Sequence, residues 1–244
     1  MKYTAYLDEV GMASIASSVL ACCLVLPENT KSISQVKDSK KLTKKKREEL
    51  YEELSKLPHA FGTASPAKIK ELNIFWARFL AMRRALNKMK DYNITKVVVD
   101  GNYEIPEINI PQEAIIKADE KLWEMGASSI LAKVKRDRMM TKLATIDKYS
   151  HYSWNTNAGY FSPQHRLGVI EHGPTTLHRE NFGYFKYCLF CYNQYQEFKK
   201  QGKTLKDYLE YENQEKIKHG KSYYQLWKSG QYDPWKEVKY VKGD

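Results

Sequence analysis

The chain has 244 residues, 42% of them hydrophobic, enough to bury one sizeable core with material left for a small second domain or an extension. Lys and Arg number 40 against 29 Asp and Glu, and the formal charge of +11 favours a polyanionic partner, nucleic acid foremost, because basic side chains gain by displacing counterions from phosphates. No run approaches the ~18–20 apolar residues of a membrane span, and "MKYTAYLDEV" meets acids before any apolar stretch. Neither a membrane-spanning helix nor a signal peptide is expected from this pattern, and an intracellular, cytoplasmic protein is.

In chain order, residues 2–7 alternate as a strand, and 17–27, "SSVLACCLVLP", form a continuous apolar run of buried-strand type ended by Pro27. A basic stretch then leads to Thr43, a helix cap, and to Leu50, Leu54 and Leu57 at helical spacing. "HAFGTA" reads as a third strand. From Pro66 through Met89 apolar residues recur three and four apart, which predicts one long packed helix. "KVVVDGN" is a buried strand ending in an acid and a glycine turn, and "EAIIKADE" repeats that design. A second long helix is expected from about Gly126 through Ile146. After about Phe182 the composition turns rich in Tyr and Lys, with helical patterning to about Leu209 and a weaker pattern beyond. Strands first clustered and then separated by helices predict an α/β fold with a mixed sheet. The cysteines, Cys22–Cys23 and the CxxC of Cys188 and Cys191, sit among apolar residues and read as buried free thiols rather than half of a zinc site.

Asp8, Asp100 and Asp119 each close a separate apolar strand in this reading, so pairing the strands gathers the carboxylates in an otherwise basic chain. Like charges packed closely cost a few kcal/mol unless protons or a cation neutralise them, and a divalent metal does so economically. Several hard oxygen ligands suit Mg²⁺ or Mn²⁺, and two such ions about 3.5–4 Å apart can activate water against a phosphodiester and stabilise the leaving oxygen. Glu9, next to Asp8, faces the other side of a regular strand, so a strand end or bulge is expected there, with Gly11 just beyond. Taken this far, the residues describe a metal-dependent phosphoryl-transfer enzyme or a basic binding protein.

The order of the motifs resembles the ribonuclease HII family over about the first 185 residues. "YLDEVG" is similar to its opening acid pair, "KDSKKLTKKKREELYEEL" to its DSKKL segment and following helix, and "IKELNIFWARFLAMRRAL" to its ELNI helix. "VVVDGN", "IIKADE" and "ASSILAKVKRDRMM" resemble its third acid, fourth acid and SILAKV helix, and "AGYFSPQHRLGVIEHGPTTLHRENF" its GY…H…HGP…HR..F stretch. The resemblance implies a ribonuclease H-like fold: a five-stranded mixed sheet flanked by helices, with a helical carboxyl-terminal part, divided into a catalytic domain at 1–183 and an extension at 184–244. It implies an endonuclease, a monomer, that cleaves RNA within RNA–DNA duplexes and leaves 5′-phosphate and 3′-hydroxyl ends. By position, Asp8, Glu9, Asp100 and Asp119 are the catalytic and metal-binding set, with Asp8 bridging two ions of Mg²⁺ or Mn²⁺. Gly11, Met12 and Ala13 fall where the family reads the ribose 2′-hydroxyl. Ser39, Lys40, Lys41, Ser129 and Lys133 fall where phosphate contacts are expected, and Tyr160 where a tyrosine packs on the sugar at the RNA–DNA junction. His165, His172 and His178 are expected to hold local structure by hydrogen bonds.

Two departures stand out. The family continues as GRG-P where this chain has Gly11, Met12, Ala13 and Ser14, which removes a guanidinium; if the third position needs φ > 0, alanine there costs about 1 kcal/mol or more. The family's His–Lys before GY is replaced by Asn157 and Ala158, which removes a second cation. Together they predict altered junction recognition, weaker on a lone ribonucleotide than on an RNA run. The tail "KSYYQLWKSGQYDPWKEVKY" suits stacking on bases, but the acidic "YLEYEN" before it favours an added helical layer packed on the core. Two rival functions remain at this point: a nucleic-acid-binding protein that kept the fold without turnover, and a ribonuclease H-like DNA nuclease.

Overall fold

The computed structural model describes residues 1–28, 30–33, 36 and 42–230. β1 (Tyr3–Val10) and β2 (Val19–Pro27) pair antiparallel from Tyr3↔Pro27 to Val10↔Leu20, and β3 (His59–Ala64) adds antiparallel to β2. On the other side of β1, β4 (Ile94–Asp100) and β5 (Gln112–Ile115) add in parallel, giving a five-stranded mixed sheet of order β3-β2-β1-β4-β5. The helices are α1 (Lys44–Leu54), α2 (Pro66–Asn87), α3 (Ala118–Lys121), α4 (Trp123–Ala144), α5 (Trp154–Asn157), α6 (Pro163–His172), α7 (Gly183–Lys200), α8 (Leu205–His219) and α9 (Tyr223–Lys228), with a 3-10 turn at Asp147–Tyr152. Among the described residues no helix is long and apolar enough to cross a membrane.

β2 is apolar throughout because both faces of the sheet are covered. Cys23 turns to the core shared with α2, and Cys22 to the core shared with α1 and α4. All four cysteines are buried and free. Gly62 of β3 lets α2 lie almost on the strand, since a Cβ there would stand 2.0 Å from the Ala81 carbonyl oxygen. Helix starts follow their caps: the side chain of Thr43 accepts from the Lys46 N–H of α1 at 3.2 Å, and Ser65 precedes Pro66 at the start of α2.

Three expectations need correction. α2 is interrupted at Asn73 (φ 63°, ψ 168°), whose Oδ1 accepts from the Phe75 and Trp76 N–H groups at 2.9 and 3.2 Å and recaps the helix. α4 begins at Trp123, three residues earlier than the pattern suggested. Asp119 does not close a strand: β5 is a short edge strand, Lys117 turns the chain through the left-handed region (φ 56°), and Asp119 rides on α3. Beyond the sheet, α7 breaks at 201–204 and the described part of the tail packs as an added layer. Ile170, Phe190, Tyr208, Tyr223 and Leu226 form its apolar centre, and buried Arg166 of α6 pairs with Glu212 of α8. Residues 231–244 lie outside the described residues.

Candidate active site

β1 keeps its pairing to β2 through Val10, but its parallel pairing to β4 ends at Leu7↔Val99. Asp8 and Glu9 therefore stand beside the carboxyl end of β4, where Asp100 is the last strand residue. Of the strand end or bulge expected from the sequence, the structure has the strand end: β1 stops at Val10, and its ladder to β4 has already stopped at Leu7. Strand alternation sends Glu9 to the α2 face, with Ala5 and Leu7, and Asp8 to the α4 face, with Tyr6 and Val10. The pair straddles the sheet end and Asp100 lies within electrostatic reach of both. One oxygen of Asp100 accepts the Ala118 N–H at 2.7 Å, which brings the next residue, buried Asp119, to the same end of β4.

The environment is expensive for negative charge. Burial, then Glu9, then Asp100 push the Asp8 carboxyl well above the ordinary carboxylate range, against hydrogen bonds from the Ser129 hydroxyl and the Glu9 N–H. Burial likewise raises Glu9; the Arg78 guanidinium, 3.6 Å from its Oε1, pulls the other way, and Asp100 adds to the rise. Glu9 Oε2 is buried with no hydrogen-bond partner. Among the described residues no three Asp, Glu, His or Cys side chains close into a ready-made metal cage. The donor set is nevertheless all hard oxygen and lies close together, which is the chemistry that suits Mg²⁺ or Mn²⁺.

Next to the acids lies the Gly11–Ser18 loop. Its carbonyls point inward to two buried guanidiniums. Arg179 donates to Gly11 at 2.7 Å, Met12 at 3.2 Å and Ser17 at 2.7 Å; Arg136 donates to Ser18, to Ala16 at 3.2 Å and to the Ser14 hydroxyl oxygen at 2.7 Å. The Ser14 hydroxyl lies within hydrogen-bond distance of the carbonyls of Ala16 and Gly159, so the loop is fastened to the segment that carries Tyr160. Gly11 has φ 88°, and a Cβ there would meet the Arg136 guanidinium at 2.6 Å. Ala13 is not among the positive-φ residues, so the alanine penalty considered above does not arise. Ala158, by contrast, does sit in the left-handed region (φ 50°).

Ser129 and Lys133 share a face of α4. Ser129 reaches Asp8, whereas Lys133 pairs with Asp137 at 2.8 Å and lies 5.8 Å from the centre of the half-buried Tyr160 ring. His178 accepts the Thr175 N–H on Nδ1, and its Nε2 lies 3.1 Å from His165 Nε2, which accepts the Trp154 indole N–H at 3.0 Å. The Nδ1–H of His165 then donates to the Tyr160 carbonyl at 2.9 Å. Burial holds both rings neutral, His165 lowered to about 4 and His178 to about 3. His172 instead stacks on His151, centroids 3.6 Å apart. Ser39, Lys40 and Lys41 lie outside the described residues. Sequence reasoning missed Arg78, Ser14, Arg136 and Arg179; for Arg136 the signal was its place seven residues after Ser129 on one helix face.

A mixed sheet of order β3-β2-β1-β4-β5 with acids gathered at the carboxyl ends of β1 and β4, flanked by helices in a basic chain, has the architecture of a ribonuclease H-like fold. Comparison with known proteins narrows this. A family model, Ribonuclease HII, matches residues 6–187. Ribonuclease HII of Anaplasma phagocytophilum is 44% identical over 186 residues, covering 75% of this chain and 86% of the relative; that of Pelagibacter ubique is 40% identical over 184 residues, covering 75% and 96%. Ribonuclease HII in the PCNA complex from Archaeoglobus fulgidus superposes with a TM-score of 0.61 at 25% identity, over 73% of this chain and 94% of that one. Bst-RNase HIII in complex with Mn²⁺, at 16% identity and a TM-score of 0.63 over 79% and 70%, shares the fold. The chain belongs to the ribonuclease HII family.

Proposed function

We propose that this protein is a divalent-metal-dependent endoribonuclease that cleaves RNA within RNA–DNA duplexes, leaving 5′-phosphate and 3′-hydroxyl ends. The observation that carries the reading is the convergence of Asp8, Glu9 and Asp100 at the sheet end; Asp119 follows directly on Ala118, whose N–H donates to Asp100. These four would hold two Mg²⁺ or Mn²⁺ ions. When bound, the ions supply Lewis acidity and an activated water for phosphodiester hydrolysis. The chain's own residues do the positioning. Ser129 orients Asp8, and the Ala118 N–H orients Asp100. The arginine-held loop turns its carbonyls inward and leaves the Met12 and Ala13 N–H groups for a ribose 2′-hydroxyl, while Tyr160 packs on the sugar beside it. Lys133 is assigned to the phosphates, as are Ser39, Lys40 and Lys41.

The loop keeps its backbone donors but lacks a cation of its own at Met12, and Ala158 supplies none. The expected consequence is weaker action on a lone ribonucleotide than on an RNA run. Residues 1–183 form the catalytic unit and 184–244 an extension in this reading. The described part of the extension shares apolar clusters with the catalytic unit through α7, so it docks as a layer. The test is cleavage of duplexes holding no, one or four ribonucleotides, each with Mg²⁺, Mn²⁺ or chelator. Metal-dependent cutting that favours four ribonucleotides over one is expected. Cutting of the all-DNA duplex, or binding without turnover, would overturn the assignment, and equal or better cutting at one ribonucleotide would overturn the altered recognition.

A further inference from the structure

The acid cluster contains a resident cation. Arg78 leaves α2 beyond the Asn73 kink and sets Nη1 3.6 Å from Glu9 Oε1, with both side chains only 13% exposed. Its guanidinium is held over Phe75 at 4.6 Å and Phe79 at 4.5 Å, with the Tyr103 ring at 5.8 Å. The rings brace one another: Phe75 meets Phe79 and Tyr103 edge to face at 5.3 and 5.2 Å. The recapping by Asn73 puts Phe75, Arg78 and Phe79 on one helix face at spacings of three and four, and Tyr103 comes from the turn after Asp100, so the cage is built from both elements that border the acids. Among the described residues Arg78 Nε is buried with no hydrogen-bond partner, and Glu9 and the π faces hold this charge.

A carboxylate that serves both a fixed guanidinium and a divalent ion feels both, and two cations near one anion repel each other. We propose that Arg78 is a positioning residue for Glu9: a built-in counter-ion that keeps this carboxylate in place in the metal-free protein and that an entering divalent cation must displace, so that the protein alone binds metal weakly on its Glu9 side. The inference rests on the metal site proposed above. It predicts that removing the guanidinium strengthens metal binding, the opposite of what loss of a merely structural ion pair would do.

The experiment is calorimetric titration of the full-length protein with Mn²⁺ in the absence of nucleic acid. Arg78→Gln is expected to bind roughly 10-fold more tightly than the unaltered chain, and Arg78→Lys to stay within about 3-fold of it. Where Arg78→Gln fails to fold by circular dichroism, Arg78→Met, which keeps an apolar stem against the rings, takes its place with the same expectation. The gain must require Glu9, so Glu9→Gln and the double variant Arg78→Gln/Glu9→Gln should bind alike. Unchanged or weaker binding in a folded Arg78→Gln protein, or a gain that persists without Glu9, overturns the counter-ion role. Absence of saturable Mn²⁺ binding in every variant, Asp8→Asn included, overturns the metal site itself.

Discussion

Two neighbouring regions of this molecule bury like charges side by side, and they treat them oppositely. Under the Gly11–Ser18 loop, Arg136 and Arg179 are almost wholly buried, yet between them they donate to the carbonyls of Gly11, Met12, Ala16, Ser17 and Ser18 and to Ser14. Burial lowers both, Arg179 to about 9, so each stays charged at neutral pH, solvated by backbone dipoles instead of water. At the end of β1, Asp8 and Glu9 have few such donors, and their carboxyls are raised rather than satisfied. The comparison separates a charge used as scaffold, most of whose guanidinium hydrogen bonds hold one loop, from a charge kept available for something that enters.

The largest expected effect follows from removing an available charge. Asp100→Asn keeps side-chain volume but removes ligand charge, and should lower the cleavage rate by at least about 1,000-fold with the circular dichroism spectrum unchanged. Retained cleavage would break the contrast. Asp8→Asn should be similarly inactive, yet more stable to urea than the unaltered metal-free protein by roughly 1–2 kcal/mol, since it deletes a buried, poorly compensated carboxylate. Removing a scaffold charge should do the reverse: Arg179→Ala strands buried carbonyls of Gly11 and Ser17 and is expected to cost about 3 kcal/mol or more in urea denaturation, with Arg179→Lys intermediate.

A pH series sharpens the comparison further. His165 and His178 have folded values near 4 and 3 against about 6.5 unfolded, so the unfolded chain binds more protons. Their contribution is complete above about pH 6.5 and is lost as pH falls towards 4. Asp8 and Glu9, raised in the folded state, act in the opposite sense, adding stability as they protonate. Acid destabilisation measured by thermal melts between pH 7 and 5 is therefore expected to steepen in Asp8→Asn, where one opposing carboxyl is gone. The smallest effect is reserved for Ser129→Ala, which removes one hydrogen bond to Asp8. Loss of about 1 kcal/mol of orientation should slow cleavage by roughly 5–10-fold and leave the melting temperature within about 2 °C.

Much of the fold was legible because local patterns sufficed. The apolar run of β2, the Thr43 cap and the strand "HAFGTA" depend on neighbours in sequence, and they appear where their periodicity placed them. The kink in α2 was not legible, since an apolar period of three to four continues through Asn73, and only the recapping geometry shows the break. The fourth acid was read onto a strand end because "IIKADE" repeats the apolar-then-acid form of "VVVDGN"; Lys117 in the left-handed region moves it onto a helix.

By itself the sequence determined which chemistry was available: four acids in order, a basic surround and the family's motifs, since residue identity and local spacing are properties of the chain. The tertiary structure decided how those groups meet. The β1–β4 pairing ends at Leu7, one residue short of Asp8, which lets adjacent side chains from opposite strand faces share an end with Asp100. Segments distant in sequence bring Arg78 of α2 to one acid, Ser129 of α4 to another, and Arg136 of α4 and Arg179, between α6 and α7, beneath a loop. Such pairings join residues tens to more than a hundred positions apart, and their energies depend on burial and distance, quantities that exist only once the chain is packed.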